Sequence, residues 1–292
     1  MIWDAIASDI TTATGRPFTA STRNPVAGGS VNETWCISGG EERFFVKLND
    51  AALLPMFAAE AEGLRAIADS NTVRAPKPIT MGARERSWLV LEYIELQPKG
   101  ECCLQRLGEQ LADMHRSTQA SFGWHRDNTI GTTPQINHRA SDWVTFFSEH
   151  RLNVQLKLAV RRGTSPRLLD LGRRLQERLP QLFTGYSPRP SLLHGDLWGG
   201  NWASDEAGNP VLFDPAVYFG DREADLAMTE LFGGFGDRFY QSYVNAWDID
   251  PGYQTRKVLY NLYHILNHFN LFGGGYDRQA IDMMNRLITE TS

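Results

Sequence analysis

The stretch HGDLWGGN, residues 194–201, sets the problem that the rest of the chain has to answer. An aspartate, Asp196, follows His194, and a carboxamide, Asn201, comes five residues after the carboxylate. Trp198, Gly199 and Gly200 lie between them. Glycine is a poor helix former, by about 1 kcal/mol relative to alanine, so the stretch reads as a loop. A second aspartate, Asp214, stands downstream in VLFDP, and a hairpin over 202–213 would fold it back toward the first.

Working outward, the chain of 292 residues suggests two lobes or one large fold. Hydrophobic content of 42% and charged content of 22% are those of a globular protein with a sizeable core. A net charge of −5 gives a nucleic-acid partner no electrostatic support. The basic stretch 157–178 reads as a solvated helix pair. Three cysteines, Cys36, Cys102 and Cys103, form no disulfide framework and no metal knuckle, which points to a reducing compartment. No apolar run approaches the ~20 residues that span a bilayer. The N-terminal MIWDAIASDITTATG carries acids early and lacks the apolar centre of a signal peptide. The expected location is the cytoplasm.

The first third reads as strands with one helix. NPVAGGSVNETWCI is a strand, a glycine turn and a second strand. RFFVKL (43–48) alternates, with Phe45 and Lys47 on one face and Phe44, Val46 and Leu48 on the other. AALLPMFAAEAEGLRAIADS is a helix with Pro55 near its start. APKPITMG reads as an extended connector, SWLVLEYI (87–94) as an apolar strand, and ELQPKG as a linker. From there the pattern turns helical: LQRLGEQLADMHRS, then SDWVTFFSEHRLNVQLKLAV behind a Ser141 or Asp142 cap, then PRLLDLGRRLQERLPQLF. Helices READLAMTELFGG, DRFYQSYVNAWD and YQTRKVLYNLYHILNHFNLFGG follow the stretch 191–215. The change near residue 95 marks the expected boundary between lobes 1–94 and 95–292.

Asp196, Asn201 and Asp214 have the chemistry of phosphoryl transfer from ATP. That reaction needs Mg²⁺ held by oxygen ligands, a cation near the phosphates, and a carboxylate to orient the acceptor hydroxyl. Asp196 fits the acceptor role, Asn201 and Asp214 the metal, and Lys47 the phosphates. A lysine in a cleft needs an acidic partner to keep it charged. Glu60 and Glu62 are both available on the following helix.

These residues resemble the protein-kinase-like fold, and more closely the fructosamine kinase (ketosamine 3-kinase) family. The resemblance is carried by GGSVNETW, FFVKLN, MFAAEAEGL, LGEQLADMH, LLHGDLWGGN, FDPAVYFGDREADLAM, LFGGF and YHILNHFNLFGGG, which run in the family's order along almost the whole chain. It implies an α+β, two-lobed fold, with a small β-rich N-lobe bearing one main helix and a larger, mostly helical C-lobe. It implies ATP-dependent phosphorylation of a ketosamine, at the sugar's O3, a deglycation step. It selects Glu60 as the partner of Lys47. It makes Glu92, Tyr93 and Ile94 the hinge whose backbone meets adenine, with Val46 and Leu91 as walls, and Gly28, Gly29 and Ser30 the loop over the phosphates. That loop is not the GxGxxG of protein kinases. Ser30 stands where many members of the family have a redox-active cysteine, so no such switch is expected. The proline of FDP replaces the usual glycine and argues against a flip of that segment. Aminoglycoside and choline kinases share the Asp–Asn–Asp skeleton and are the alternative reading, with a nucleotide-binding pseudokinase behind them.

Several other residues carry more than one reading. Trp198 is a core ring or a wall for a sugar, whose C–H face suits an aromatic. His264 and His268 lie four apart on a helix, but no glutamate follows His264 as in HExxH, so packing is expected, with His268 as a rim contact to substrate. His194 is expected to be scaffold. Among Asp221, Glu223 and Asp225, the last is expected to brace the catalytic loop.

Overall fold

Residues 2–27 and 31–291 are described by the computed structural model, and its first element is a helix absent from the sequence reading. α1 (Ile2–Thr14) lies against a five-stranded antiparallel sheet of β1 (Thr22–Pro25), β2 (Glu33–Gly39), β3 (Glu42–Asp50), β4 (Pro78–Ala83) and β5 (Arg86–Glu92), ordered β1-β2-β3-β5-β4. α2 (Leu54–Asp69) follows β3 through one 3₁₀ turn and has Pro55 in its first turn, where a missing N–H costs nothing. The sheet is packed on both faces. Ile6 and Ile10 of α1 bury Val46, Leu48, Trp88 and Val90, while Phe57 and Leu64 of α2 bury Leu89 and Leu91. Burial of each such side chain is worth roughly 1.5–3 kcal/mol.

Two readings are corrected here. The N-terminal part carries two helices rather than one, and α1 is why β5 is apolar along both faces. The expected connector APKPITMG contains β4, at the sheet edge. Its prolines limit the backbone donors that an edge strand exposes.

β5 leads through residues 93–100 to α3 (Glu101–His115). A short hairpin follows, β6 (Asn128–Ile130) and β7 (Thr133–Gln135), which the sequence reading passed over. α4 (Trp143–Phe147) is capped by Asp142, whose carboxylate accepts from Thr145 N at 2.7 Å. A π-helical turn (Ser148–Leu152) joins it to α5 (Asn153–Arg161), and α6 (Pro166–Leu182) completes the basic helix pair. The small strands β8 (Ser191–Leu193), β9 (Trp202–Ser204), β10 (Pro210–Leu212) and β11 (Tyr218–Gly220) pair as β8 with β11 and β9 with β10. α7 (Glu223–Leu231), α8 (Asp237–Ala246), α9 (Tyr253–Phe272) and α10 (Tyr276–Glu290) close the chain. α9 is buried on nearly all sides, from Val258 to Phe269, and is the central post of the helical part.

Candidate active site

The hairpin β9–β10 does what its spacing predicts. It brings Asp214 back to the HGDLWGGN loop, where Phe213 N donates to Asn201 O at 3.1 Å and Ala216 N donates to His194 O at 2.8 Å. Gly195 has φ +81°, and a Cβ there would strike the carbonyl of Ala216, so only glycine lets the two strands approach. Asp225, from α7, anchors the loop from below by accepting from His194 N at 2.7 Å and Gly195 N at 2.8 Å. Burial works to raise its pKa. His115, whose Nε2 lies 3.2 Å away, and the backbone donors outweigh burial and hold it below the usual carboxylate range. Burial keeps the His194 imidazole neutral, with Nε2 3.0 Å from Phe213 O, as a scaffold residue should be.

Above this loop, Lys47 is 4% exposed and places its ammonium between two carboxylates. Nζ lies 2.5 Å from Glu60 Oε1 and also donates to Asp214 Oδ1. Burial opposes the charge, but Asp214 and Glu60 together hold the lysine pKa above its ordinary value. Glu62 instead accepts from Arg126 at 2.9 Å and lies 2.9 Å from His125 Nε2, which ties α2 to the segment before β6.

Asp196 is half-buried beside Asn201, whose Nδ2 donates to Asp196 Oδ2 at 3.1 Å and to its carbonyl at 2.9 Å. Burial and then the nearby charge of Asp214 push its pKa up to about 7, against the hydrogen bond from Asn201. Asp214 itself has φ 55°, a left-handed conformation unusual outside glycine, and its side chain is half open to the cleft.

These groups line one cleft of about 590 Å³. Phe45, Leu91, Ile94 and Leu96 form its apolar end beside Val26, and Trp198 and Gly200 lie at the catalytic loop. The Trp198 ring is 41% exposed and folds over Gly200, where a Cβ would run into it.

Other expected positions fall differently. Val46 is fully buried on the α1 side of the sheet and is no wall of the cleft, because strand alternation turns it away from Lys47. Glu92 and Ile94 line the cleft, whereas the Tyr93 ring turns onto the guanidinium of Arg43, 4.4 Å from the ring centre. Gly28, Gly29 and Ser30 lie outside the described residues. His268 is not among the cleft-lining side chains. It packs against Phe232, Phe272 and Tyr276, with Nδ1 2.8 Å from His264 O. Sequence reasoning missed Arg74, which donates to Glu92 at 2.7 Å and to Asp205 on the β9–β10 turn at 2.6 Å. Nothing in its local sequence marks that contact, which joins the hinge to the other side of the cleft.

The donor set suits Mg²⁺. The Asn201 carboxamide and the Asp214 carboxylate are hard oxygen ligands on adjoining segments. No group of three or more His, Cys, Asp or Glu that could hold a metal by itself occurs among the described residues, so phosphate oxygens would have to complete the shell. No helix among them is long and apolar enough to cross a membrane.

A sheet lobe and a helical lobe around a cleft with a Lys–Glu pair, a loop aspartate and a second aspartate after a hairpin define a protein-kinase-like fold. The same fold appears in an aminoglycoside phosphotransferase, at 13% identity and a TM-score of 0.66 over 99% of both chains, a likeness of architecture alone. The chain belongs to the fructosamine kinase family, whose model matches residues 2–290. It is 49% identical to a "probable ketoamine kinase" of Synechocystis over 98% of this chain and 97% of that one. It is 42% identical to a chloroplastic protein-ribulosamine 3-kinase of Oryza sativa subsp. japonica, over 89% of this chain and 77% of the relative. A crystal structure from Haemophilus somnus 129PT, assigned as a fructosamine-3-kinase, superimposes with a TM-score of 0.89 at 28% identity, over 98% and 97% of the two chains.

Proposed function

We propose that this protein transfers the terminal phosphoryl group of ATP to a hydroxyl, O3, of a ketosamine, using Mg²⁺, in the cleft between an N-terminal nucleotide lobe (1–94) and a C-terminal catalytic and substrate lobe (95–292). The observation that carries the reading is the convergence of Lys47, Glu60, Asp196, Asn201 and Asp214 on one cleft whose acceptor end carries an exposed tryptophan. Adenine enters the apolar end, where the backbone from Glu92 to Ile94 offers hydrogen bonds. Lys47, kept charged by Glu60, meets the phosphates. Bound to Asn201 and Asp214, Mg²⁺ would withdraw charge from the phosphate oxygens. Asp196 accepts the hydrogen of the sugar hydroxyl and aims its oxygen at phosphorus. A pKa near 7 suits a base that must take a proton and later release it. Trp198 offers a ring to the C–H face of the sugar.

The names of the relatives support a ketosamine acceptor, and so does the charge around the cleft. Each of its carboxylates is already engaged: Glu60 and Asp214 with Lys47, Glu92 with Arg74, and Asp196 with Asn201. A polycationic aminoglycoside would find no free acid there. The test is ATP consumption with ribulose-lysine, fructose-lysine, an aminoglycoside and choline. Turnover confined to the last two would overturn the substrate, and ATP binding with no turnover of any acceptor would overturn the activity.

A further inference from the structure

The phosphate chemistry leaves one wall of the cleft without a task, the hairpin β6–β7. Strand alternation decides how it faces. Ile130 is buried in the core of the helical part and the amide of Asn128 is spent behind the hairpin, while Thr129 between them lines the cleft. The hairpin is held from behind by a buried polar network. Asn128 Nδ2 donates to Val217 O at 2.8 Å, and Gln135 Nε2 donates to Ala216 O at 3.1 Å and to Asn128 Oδ1 at 2.8 Å. Arg151, fully buried, donates to Asn137 Oδ1 at 2.8 Å, and Asn137 in turn donates to Asn128 Oδ1 at 2.9 Å. Since Ala216 N also bonds to His194 O, two residues before Asp196, this network registers the hairpin against the catalytic loop. Apart from Arg151 Nε, the buried donors of this network are paired, and paired networks are rigid.

Gly131, at the tip of the hairpin, also lines the cleft. A Cβ on Gly131 would lie 3.4 Å from Leu271 on α9. About one turn back on α9, the ring of His268 packs on Phe232, and the glycines after Phe232 abut Gly199, next to Trp198. Hairpin, α9, the α7–α8 loop and the 194–201 loop are thus linked by a run of contacts beside the cleft. Their exposed rings can cover apolar surface but cannot tell one sugar hydroxyl from another.

The neutral hydrogen-bonding side chains that line the cleft, apart from the tryptophan, are Asn32, Thr34, Asn128, Thr129 and Asn201. Asn32 accepts from Asn49, Thr34 donates to Val26 O, Asn128 donates to Val217 O, and Asn201 donates to Asp196. Among the described residues, only the Thr129 hydroxyl of this set has no partner. We infer that Thr129 is a specificity residue: its hydroxyl pairs with O4 of the ketosamine, the hydroxyl next to the phosphorylated O3, C2 on the other side being the carbonyl carbon. The inference rests on the ketosamine reading above.

The test compares Thr129→Val, which keeps the shape and loses the hydroxyl, with Thr129→Ser, which keeps the hydroxyl. Removal of one hydrogen bond to the substrate should lower kcat/KM for the ketosamine about tenfold in the valine variant. The serine variant should stay near wild type, and the KM for ATP and the melting temperature should stay put in both. On the 4-deoxy ketosamine, wild type and Thr129→Val should be equal. A valine variant with wild-type kcat/KM on the full ketosamine, or one with the same loss on the 4-deoxy analogue, overturns the role of Thr129 alone. A wild-type enzyme that turns over no ketosamine overturns the substrate reading, and this assignment with it.

Discussion

Asn201 donates its side-chain amide to the carboxylate of Asp196, Nδ2 to Oδ2 at 3.1 Å. One hydrogen bond thus joins the residue proposed to orient the acceptor to one proposed to ligate the metal. The amide nitrogen is spent on the base, which leaves the Asn201 carbonyl oxygen as its ligand atom. Asp196 is half-buried and has its pKa raised to about 7, so that hydrogen bond is the main local support for its charge.

Asp196→Asn should remove turnover and leave ATP affinity within a few-fold, because the role proposed for the carboxylate is on the acceptor side. Loss of a general base commonly costs ~10²–10⁴ in rate. Steady-state kinetics with nucleotide-binding titrations check this. A variant that keeps more than about a tenth of wild-type kcat would remove Asp196 from the role.

Asp214→Ala and Asn201→Ala should each raise the Mg²⁺ concentration needed for half-maximal rate. Each would take away a proposed oxygen ligand, and protein ligands are few where phosphate supplies the rest. Asp214→Ala also strips Lys47 of one of its two carboxylates. Rate measured against Mg²⁺ is the readout, and two curves that superimpose on wild type would contradict the ligand assignment.

Trp198→Ala should damage ketosamine use more than ATP use. The ring is 41% exposed, two residues after the proposed base, and folded over Gly200. Loss of one aromatic contact and its orienting effect should cost ~1–3 kcal/mol, or about 5- to 150-fold in kcat/KM for the ketosamine. Kinetics for both substrates beside a melting curve decide the matter. Equal losses for both, with a lowered melting temperature, would make the ring structural.

His264 should make the fold acid-sensitive. Burial first, and then repulsion from His268, push its pKa down to about 3. In the unfolded chain it would titrate near 6.5, as an ordinary imidazole does. Between the two values the unfolded chain binds a proton that the folded one refuses. Stability from this residue is therefore lost as pH falls below about 6.5, by ~2 kcal/mol at pH 5. His264→Gln has nothing to titrate, so the gap in melting temperature between wild type and variant should shift in the variant's favour from pH 7 to pH 5. A gap independent of pH would show that His264 is protonated alike in both states.

Much of the site could be read along the chain because its geometry is local. Asp196, Asn201 and the β9–β10 hairpin lie within a single stretch, so loop chemistry and strand length are enough to fold Asp214 back. α10 went unread, although Ala280, Met284, Leu287 and Ile288 stand at helical spacing. The β6–β7 hairpin went unread as well, although NTI and TPQ flank a Gly-Thr turn. Its strands are three residues each, short enough for periodicity to carry little weight.

By itself, the sequence determined the β-then-α order of the chain, the opposed faces of β3, the catalytic loop and the family. Only the tertiary structure decided what depends on partners far apart in sequence. Glu60 and Glu62 look alike on paper, yet two residues on a helix are about 200° apart, and packing against β5 turns just one of them toward Lys47. Alternation already set Val46 on the face opposite Lys47, but only the tertiary structure showed that α1 covers that face. His268 went to an aromatic group with Phe232 and Tyr276, and Arg74 reached across to Asp205, through contacts that no local pattern encodes. Periodicity says which residues share a face. What that face meets is decided by long-range burial, which is a property of the folded chain.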